Sequence, residues 1–430
     1  MKAFLKDLFQ VGVSRGVVLF SGILTTIVTA RWLDPEKNGI IASLLVYPGL
    51  FISIGSLGIQ QSTTYFMGKG VYDERDIKKA VAQIWIFSSV FSLVTCYLLI
   101  TFFTSSGDNT LYVIMALLQI PFTLFTTYNA GFFLGKNEIA KFNRINWVPG
   151  VITLLLTAVL LIVFHMGIMG YLIAMIGGPL FMFALLIPRN KLVDAISLDV
   201  NWVIVKGLLR LGLTYAIALF VINLNYRFDV IMLERLGTKQ ELGIYTKGAN
   251  FIQALWQIPM LLSTIVFVRS AVSKNDAGFS LKVAQLLRLS FIFIGFAALI
   301  LVVFSDLIVS LLFGSQFAGS APVLRLLAPG VLLLTIFKVM NMDLAGKGRP
   351  STSLWAMVPG LVINVLCNLY LIPRYGAVGA AISSTISYSI LALLFLHFYS
   401  KTVNVPIKTI LTYRKSDFAV FGQLLNKIKK

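Results

Sequence analysis

The strongest constraint on this chain is that its second half repeats features of its first half in the same order, about 210 residues later. Only small insertions separate the two copies. Internal duplication in a strongly apolar chain is typical of a transporter built from two similar lobes, with the substrate path between them. The duplication therefore predicts two lobes of similar architecture. The paired features are Arg31 and Arg235, Gly39 and Gly243, Pro121 and Pro329, Gly135–Gly150 and Gly346–Gly360, and Gly167 and Gly376.

The composition predicts that lipid surrounds much of this fold. Hydrophobic residues make up 58% and charged residues 12% of the chain, against roughly 45–50% and about 25% in soluble globular domains. So few charges cannot cover the surface of a soluble fold of 430 residues. Cys96 and Cys367 each lie in an apolar run, which indicates free thiols that pack as small hydrophobic side chains. The basic start leads into an apolar run without a clear cleavage site, so we interpret it as a retained first span.

Twelve apolar stretches have about the 20 residues that an α-helix needs to cross a bilayer. They predict an all-α integral membrane protein with twelve transmembrane helices in two pseudo-repeated six-helix lobes. We place the lobes at residues 1–200 and 201–400, followed by a basic cytoplasmic tail at 401–430. Tight hairpins are predicted at equivalent places, around Met166–Gly170 and Pro373–Gly376. The predicted spans are 11–30, 39–65, 80–103, 110–134, 147–166, 168–187, 207–230, 242–268, 284–304, 322–342, 352–371 and 377–399.

The basic residues lie mostly on one side of the predicted spans. That side receives 28 of the 36 Lys and Arg residues, and loops rich in Lys and Arg face the cytoplasm in membrane proteins. We therefore expect both termini to be cytoplasmic, as an even number of spans requires. A basic face against an anionic leaflet also accounts for most of the net charge of +19. Membrane lipids, and no nucleic acid, are the expected partners of this face.

Motifs for nucleotide, metal or covalent chemistry are missing from the sequence. The stretch Gly131–Lys136 ends in Gly-Lys-Asn and lacks the spacing of a phosphate-cradling loop. His165 and His397 lie at span ends without a second metal ligand nearby, so we interpret them as interface residues. We expect a carrier that has no cofactor, no metal ion and no enzymatic activity.

Basic side chains inside the predicted spans carry the main functional signal. A charge inside a membrane costs about 2.5–3.5 kcal/mol on insertion scales, so charges that occur there indicate function. Acids are scarce: only Asp229 and Asp343 are plausible, both near span ends. A cavity lined by cations and carboxamides suits an anionic, hydroxyl-rich cargo, since a guanidinium binds two phosphate oxygens at once. The candidate cations are Arg15, Arg210, Arg227, Lys247 and Lys338, and the candidate carboxamides are Gln60, Gln61, Asn223, Asn225, Gln253, Gln257, Asn364 and Asn368.

Structural interpretations of the same residues stay open. Arg15 and Arg210 can extend toward lipid headgroups, and Arg227 can form a structural ion pair with a neighbouring acid such as Asp229. Prolines recur inside spans at equivalent places in both halves and predict shared helix kinks, as rocking lobes require. A kink that only shapes packing explains any single proline equally well. We assign structural or coupling roles to Arg31, Asp229, Pro48 and Pro259.

Three stretches of the chain resemble signatures of a known transporter family. Thr29–Ile40 resembles the motif that joins the first two spans of bacterial polysaccharide flippases. Arg227–Gly248 resembles the signature between their seventh and eighth spans, and Asn364–Tyr388 resembles the one between their last two. The resemblance covers essentially the whole chain and places it among the O-antigen and polysaccharide exporters of the multidrug/oligosaccharidyl-lipid/polysaccharide superfamily. Asn38 departs from the pattern, which has Tyr or Phe before the glycine.

The resemblance implies a V-shaped central cavity that alternates between the two membrane faces. The implied cargo is an undecaprenyl-diphosphate-linked oligosaccharide repeat unit, which crosses the bacterial cytoplasmic membrane during the synthesis of O-antigen, capsule or exopolysaccharide. By position, the residues that contact the diphosphate in this family correspond to Arg15, Arg210, Arg227 and Lys247. A polysaccharide polymerase and a chain-length regulator are further candidate partners.

Three other functions stay open on the sequence alone. A peptidoglycan-precursor flippase shares this fold but usually has helices beyond twelve. A cation-coupled multidrug exporter needs a buried carboxylate, and the first span has none between Val11 and Ala30. A scaffold of a polysaccharide assembly complex, without transport activity, is the third.

Overall fold

The structure is a computed structural model, and it consists of α-helices joined by short turns. It describes residues 2–197, 199–257, 276–349 and 351–418, together with 259, 260, 266, 269, 270 and 273. No strand occurs in these ranges, so the predicted all-α fold class is confirmed. The helices are α1 (Lys2–Trp32), α2 (Pro35–Gly55), α3 (Ile59–Lys69), α4 (Glu74–Phe103), α5 (Thr110–Gly135), α6 (Ile139–Asn146), α7 (Val148–Ala158), α8 (Gly167–Asn190), α9 (Trp202–Leu236), α10 (Lys239–Gln253), α11 (Asp276–Val303), α12 (Ser305–Phe313), α13 (Ser320–Gly346), α14 (Ser351–Val403) and α15 (Ile407–Leu411).

Ten helices in the described ranges are long and apolar enough to cross a membrane. The last of these, Thr352–Val403, covers two predicted spans, 352–371 and 377–399. The predicted span 242–268 includes residues outside the described ranges. The number and length of these helices identify a multi-pass membrane protein, and the count of twelve spans stays a prediction.

Two tight turns lie where the duplication predicts them. Between a π-helical segment at Val159–Val163 and the start of α8, His165 and Gly167 have φ of 51° and 60°. In the second half, Gly376 interrupts α14 with φ 53° and ψ −127°. Gly167 and Gly376 occupy equivalent positions of the repeat, and glycine adopts positive φ readily because it has no Cβ. Both predicted hairpins are confirmed.

The turn between α1 and α2 explains why asparagine occupies position 38. Asp34 caps α2, and its carboxylate accepts a hydrogen bond from the backbone N–H of Lys37 at 2.8 Å. Asn38 is buried, and its side-chain amide donates at 3.0–3.1 Å to the backbone carbonyls of Thr29, Leu33 and Asp34. This amide ties the end of α1 to the first turn of α2. An aromatic side chain, which is the residue expected from the family pattern, could not donate these bonds.

The equivalent turn of the second repeat, between α9 and α10, is closed by a capping box. The backbone N–H of Thr238 donates to the Glu241 carboxylate at 2.9 Å, and the N–H of Glu241 donates to the Thr238 hydroxyl at 3.2 Å. This reciprocal pair satisfies two N–H groups that the start of a helix leaves without partners. Thr238 is the repeat equivalent of Asp34, so the two repeats begin this helix with a cap at the same position.

The starts of α2 and α10 cross at a pair of glycines. A Cβ added to Gly39 would overlap the carbonyl oxygen of Lys239, and a Cβ added to Gly243 would overlap that of Pro35. Pro35 and Lys239 are equivalent positions of the repeat, as are the two glycines. A contact in which each partner repeats the other's residues is typical of two-fold symmetry. The two repeats therefore meet symmetrically at this crossing, and a side chain at either glycine would separate the helices.

The helices pack into two compact units. The first comprises the described residues of Met1–Lys247 and Val309–Gly319, and the second those of Gly248–Ile308 and Ser320–Lys430. In the first unit, α5 packs on α3, α4 and α8, and α9 packs on α2, α3 and α4. In the second unit, α13 packs on α11 and α14. The division into lobes at residue 200 stays a prediction.

The described part of the carboxyl-terminal segment docks on α11. Arg288 is 5% exposed, and its Nε and Nη2 donate to the two carboxylate oxygens of Asp417 at 2.7 and 2.8 Å. Its Nη1 donates to the backbone carbonyl of Ile410 at 2.8 Å. Bidentate pairs of this kind combine charge with fixed geometry. The bonds from Arg288 hold the pKa of Asp417 below its usual range.

Candidate functional site

Lys247 is the most deeply buried of the predicted cavity cations. The residue is 7% exposed, and its ammonium donates to the Thr29 hydroxyl at 2.5 Å and to the Thr26 carbonyl oxygen at 3.3 Å. It forms no ion pair with any carboxylate of the described residues. An ammonium leaves water at a high cost unless opposite charge or hydrogen bonds replace its hydration. Lys247 therefore links α10 to α1, and its amino group contacts only neutral oxygens among the described residues.

The three predicted arginines lie at different levels of their helices. Arg15 is half-buried on α1, whereas Arg210 and Arg227 are exposed on α9. Arg210 and Arg227 are 17 positions apart in one helix, which separates their Cα atoms by about 25 Å at 1.5 Å per residue. Arg15 and Thr29, the partner of Lys247, are 14 positions apart on α1, or about 21 Å. These cations are therefore spread along the helices and do not form one cluster.

Two predicted carboxamides on α9 differ in how they are satisfied. Asn223 donates to the Ser53 hydroxyl on α2 at 2.9 Å and to the carbonyl of Leu219 at 2.8 Å. Asn225 is 0% exposed, and neither polar atom of its amide has a hydrogen-bond partner in the part of the chain that the structure describes. Buried amides without partners are rare because they lose the bonds that water would give. Asn223 thus links α9 to α2, and the Asn225 amide is enclosed within the protein.

Three predicted polar residues of the second unit, Lys338, Asn364 and Gln253, have partners within that unit. The Lys338 ammonium lies 4.6 Å from the centroid of the Trp256 ring, a cation–π contact. Asn364 is buried and accepts a hydrogen bond from the amide of Asn368 at 2.9 Å. Gln253 donates to the Tyr388 hydroxyl at 3.5 Å, Gln257 is exposed, and Pro259 is buried.

The remaining predicted residues belong to the first unit. Gln60 and Gln61 are half-buried on α3, and Pro48 is buried in α2.

Arg31 contacts the carboxyl end of α12. Its Nε donates to the Leu312 carbonyl oxygen at 3.0 Å. Its Nη2 donates to the carbonyl oxygens of Leu311 and Ser310. The last carbonyls of a helix lack helical partners and carry partial negative charge, so a guanidinium stabilises them. This cap ties α1 to α12, and the coupling role of Arg31 stays a prediction.

A buried ion pair, which we did not predict, mirrors this contact. The Glu234 side chain is 2% exposed and accepts from the Lys239 ammonium at 2.9 Å and from the backbone N–H of Ser105 at 2.9 Å. Ser105 follows α4, and Gln316, in the corresponding segment after α12, donates to the Ala30 carbonyl at 2.8 Å. Ala30 and Glu234 are equivalent positions of the repeat. The turn after the third predicted span of one repeat thus hydrogen-bonds the end of the other repeat's first helix.

Both intramembrane acids, which the sequence placed near span ends, are fully buried. Asp229 accepts a hydrogen bond from the Tyr245 hydroxyl at 2.9 Å. Asp343 pairs with the Lys347 ammonium at 3.1 Å, four residues along α13. Asp343 is the centre of a polar cluster that no sequence pattern revealed, because its hydroxyl donors come from distant segments. Asp343 also accepts from the hydroxyls of Ser270 at 2.6 Å, Ser280 at 2.7 Å and Tyr399 at 2.6 Å.

Comparison with known proteins places the chain in a family. A family model described as polysaccharide biosynthesis protein matches residues 4–268, more than half of the chain. A second model, described as lipid II flippase MurJ, matches residues 251–425. The ten long apolar helices of the described ranges define a multi-pass α-helical membrane protein. The chain belongs to the polysaccharide biosynthesis protein family, which confirms the resemblance found in the three signature stretches.

Individual relatives agree with this assignment. The probable low-salt glycan biosynthesis flippase Agl15 of Haloferax volcanii is 31% identical over 108 residues, which are 25% of this chain and only 23% of that protein. The capsular polysaccharide biosynthesis protein CapF of Staphylococcus aureus is 23% identical over 393 residues, 88% of this chain and 94% of that one. The solved structure of lipid II flippase MurJ in an inward closed conformation has a TM-score of 0.75 and 14% identity, covering 95% of this chain and 89% of its own. At this identity the likeness shows the fold.

Proposed function

We propose that this protein moves undecaprenyl-diphosphate-linked oligosaccharide units across the bacterial cytoplasmic membrane, by alternating access of a cationic cavity between two six-helix lobes. The units serve the synthesis of a surface polysaccharide such as O-antigen, capsule or exopolysaccharide, and both termini face the cytoplasm. The family match supports the role in polysaccharide synthesis. One relative and one fold neighbour, both named as flippases, support the translocation step. The proposed partners are a polysaccharide polymerase and a chain-length regulator.

The observation that carries this proposal is the environment of Lys247. Its buried ammonium contacts two neutral oxygens and, among the residues that the structure describes, no carboxylate. A phosphate oxygen would add Coulomb attraction to a hydrogen bond in surroundings from which water is excluded. The diphosphate that links the lipid to the sugar could therefore supply the negatively charged partner that Lys247 lacks among the described residues.

The spacing of the cations supports stepwise transfer of the anion. Arg210 and Arg227 are about 25 Å apart along α9, so one diphosphate cannot contact both at once in this conformation. We infer that the anion meets the cations in succession while it crosses. The sugar hydroxyls would meanwhile meet partly exposed carboxamides such as Gln60 and Gln61 on α3.

Lys247 gives the cargo a means to change the conformation. Its bonds to Thr26 and Thr29 hold α10 against α1. A diphosphate that reaches Lys247 competes for the same ammonium, and a ligand shifts a conformational equilibrium by its differential affinity for the two states. Binding of the anion would therefore weaken the contact between α1 and α10.

A reconstituted system tests the proposal. Vesicles containing the full-length protein receive an undecaprenyl-diphosphate oligosaccharide with a fluorophore on the sugar, and a membrane-impermeant reductant quenches the outer leaflet. With active protein, quenching should proceed beyond the outer-leaflet fraction, as labelled lipid moves outward. Quenching that stops at the same fraction as in protein-free vesicles contradicts the proposal, and it favours the scaffold interpretation if loss of the protein still abolishes the polymer in cells.

A cation-coupled multidrug exporter is the second candidate, and the burial of Asp229 and Asp343 favours it. Such an exporter uses a carboxylate that binds a proton or a metal cation during the cycle. The Asp343 carboxylate already has the Lys347 ammonium at 3.1 Å, which balances its charge without a transported ion. Expression in a drug-sensitive host separates the two functions, because resistance to cationic drugs that Asp343→Asn abolishes is expected only of an exporter.

A further inference from the structure

A basic cavity lies in the first unit, where α5, α6 and α8 approach one another. Its volume is about 450 Å³. The lining includes four cationic side chains and one carboxylate, a net charge of +3. The charged and amide residues of the lining are Lys136, Glu138, Lys141, Arg144, Arg189 and Asn190.

Half of the positive charge in this cavity is not paired with a carboxylate. Lys136 pairs with Glu74 and Lys141 pairs with Glu138, each at 2.6 Å. Arg144 and Arg189 form no ion pair with a described carboxylate. One guanidinium nitrogen of Arg189 donates to the carbonyl of Leu185 at 3.0 Å, which leaves its other N–H groups for a ligand. Two exposed guanidinium groups, those of Arg144 and Arg189, therefore line the cavity without an ion-pair partner among the described residues.

The walls of the cavity are already held in place by hydrogen bonds. Asn190 is 7% exposed, and its amide donates to the side chain of Asn129, which is 0% exposed, at 3.1 Å. The turn after α5 closes through the N–H of Glu138, which donates to the carbonyl of Phe133 at 2.7 Å. A preformed site binds a ligand with less loss of conformational freedom than a site that must order.

We propose that this basic cavity binds a phosphate group carried by a lipid of the adjacent leaflet. Its cations belong to the side of the molecule that the charge distribution predicts to be cytoplasmic, where anionic phospholipids lie. Guanidinium groups bind phosphate oxygens in pairs, and basic pockets between membrane helices on this side bind anionic headgroups. The phosphate can come from an anionic phospholipid or from an isoprenyl diphosphate. In the second case the cavity is a loading site for the cargo, and that reading rests on the proposed function.

Lipid binding by the purified full-length protein, measured by native mass spectrometry, tests this proposal. The probes are phosphatidylglycerol and undecaprenyl diphosphate, titrated separately. The pocket variant Arg144→Gln/Arg189→Gln is compared with Arg75→Gln/Lys206→Gln, which removes two exposed charges of the same unit outside the cavity. The pocket variant should bind about 30-fold more weakly, since each basic side chain near an anionic headgroup contributes about fivefold. The control variant should stay within twofold of the wild type.

The outcomes separate the two lipids and the two proposals. Loss confined to phosphatidylglycerol assigns the site to a structural phospholipid, and loss confined to undecaprenyl diphosphate assigns it to the cargo. Arg144→Lys/Arg189→Lys keeps the charge without the guanidinium fork and should bind with intermediate affinity, which guards against misfolding of the glutamine variant. Equal binding of both lipids by the pocket and control variants overturns the site. Because the assay measures binding alone, this result leaves the transport proposal untouched.

Discussion

Replacement of Lys247 by methionine should abolish transport while the protein stays folded. Methionine keeps the unbranched apolar stem and removes the ammonium. The Thr29 hydroxyl also donates to the Thr25 carbonyl at 3.0 Å, so the substitution leaves no buried donor without a partner. Hydrogen bonds to a charged group contribute about 1.5–3 kcal/mol each, but the unbalanced buried ammonium that makes them is itself unfavourable. We therefore expect the free energy of unfolding to change by no more than about 1–2 kcal/mol.

The effect on transport should be larger than the effect on stability. Truncation of one partner of a buried, hydrogen-bonded charge pair costs about 2–5 kcal/mol, and the lower figure alone weakens binding roughly 30-fold. The initial rate of fluorescent cargo translocation in vesicles measures this loss, with the thermal unfolding midpoint as the measure of folding. Lys206→Met, an exposed position on α9, is the matched control and should transport normally. Lys247→Arg should transport at an intermediate rate because it keeps the charge.

Transport by Lys247→Met within twofold of the wild type, at equal protein content in the vesicles, would refute the role of this lysine as a diphosphate ligand. A large drop in the unfolding midpoint would instead assign Lys247 to the packing of α10 on α1.

Three further predictions concern other parts of the molecule. Arg210→Ala should abolish polymer export in cells at normal protein level. Arg210→Lys should recover part of the export, because lysine keeps the charge but not the two-pronged guanidinium group. Normal export by the alanine variant would contradict this prediction. Gly39→Ala should destabilise the protein by about 1–3 kcal/mol, as overpacking does, whereas Gly49→Ala, in the same helix with no atom near the added Cβ, should be neutral by thermal unfolding. The pKa of Asp417 is lowered beside Arg288. Their ion pair therefore stabilises the fold fully above the pKa of an unfolded Asp, about 4, and this stabilisation is lost as the pH falls through the lower pKa of the folded state. Asp417→Asn should lower the unfolding midpoint at pH 7 and flatten its decline below pH 4, and an unchanged acid decline would contradict this assignment.

The helical architecture could be predicted because a membrane span requires only length and apolarity. The hairpins at Gly167 and Gly376 followed from the repeat, since equivalent glycines after equivalent apolar runs indicate the same turn. Contacts between distant segments could not be predicted in this way. The repeat shows that Gly39 and Gly243 are equivalent, but not that each packs on the other's helix.

The candidate site was predicted less completely than the fold. Sequence identified Lys247 as a charge in a span, but its burial depends on α1, more than 200 residues away. The cluster around Asp343 draws hydroxyl donors from residues before α11, in α11 and in α14, a combination that no local pattern reveals. Arg210 and Arg227 were grouped by residue type, and the continuous helix α9 separates them.

We propose that this protein carries a lipid-linked diphosphate outward across the membrane. The most direct test is the initial rate at which the purified protein translocates labelled undecaprenyl-diphosphate oligosaccharide in vesicles, at potentials set by potassium gradients and valinomycin. Moving about two negative charges outward across 100 mV contributes about 4–5 kcal/mol. We expect translocation that depends on the protein and accelerates when the cytoplasmic side is negative. Rates equal to those of protein-free vesicles at every potential would contradict it.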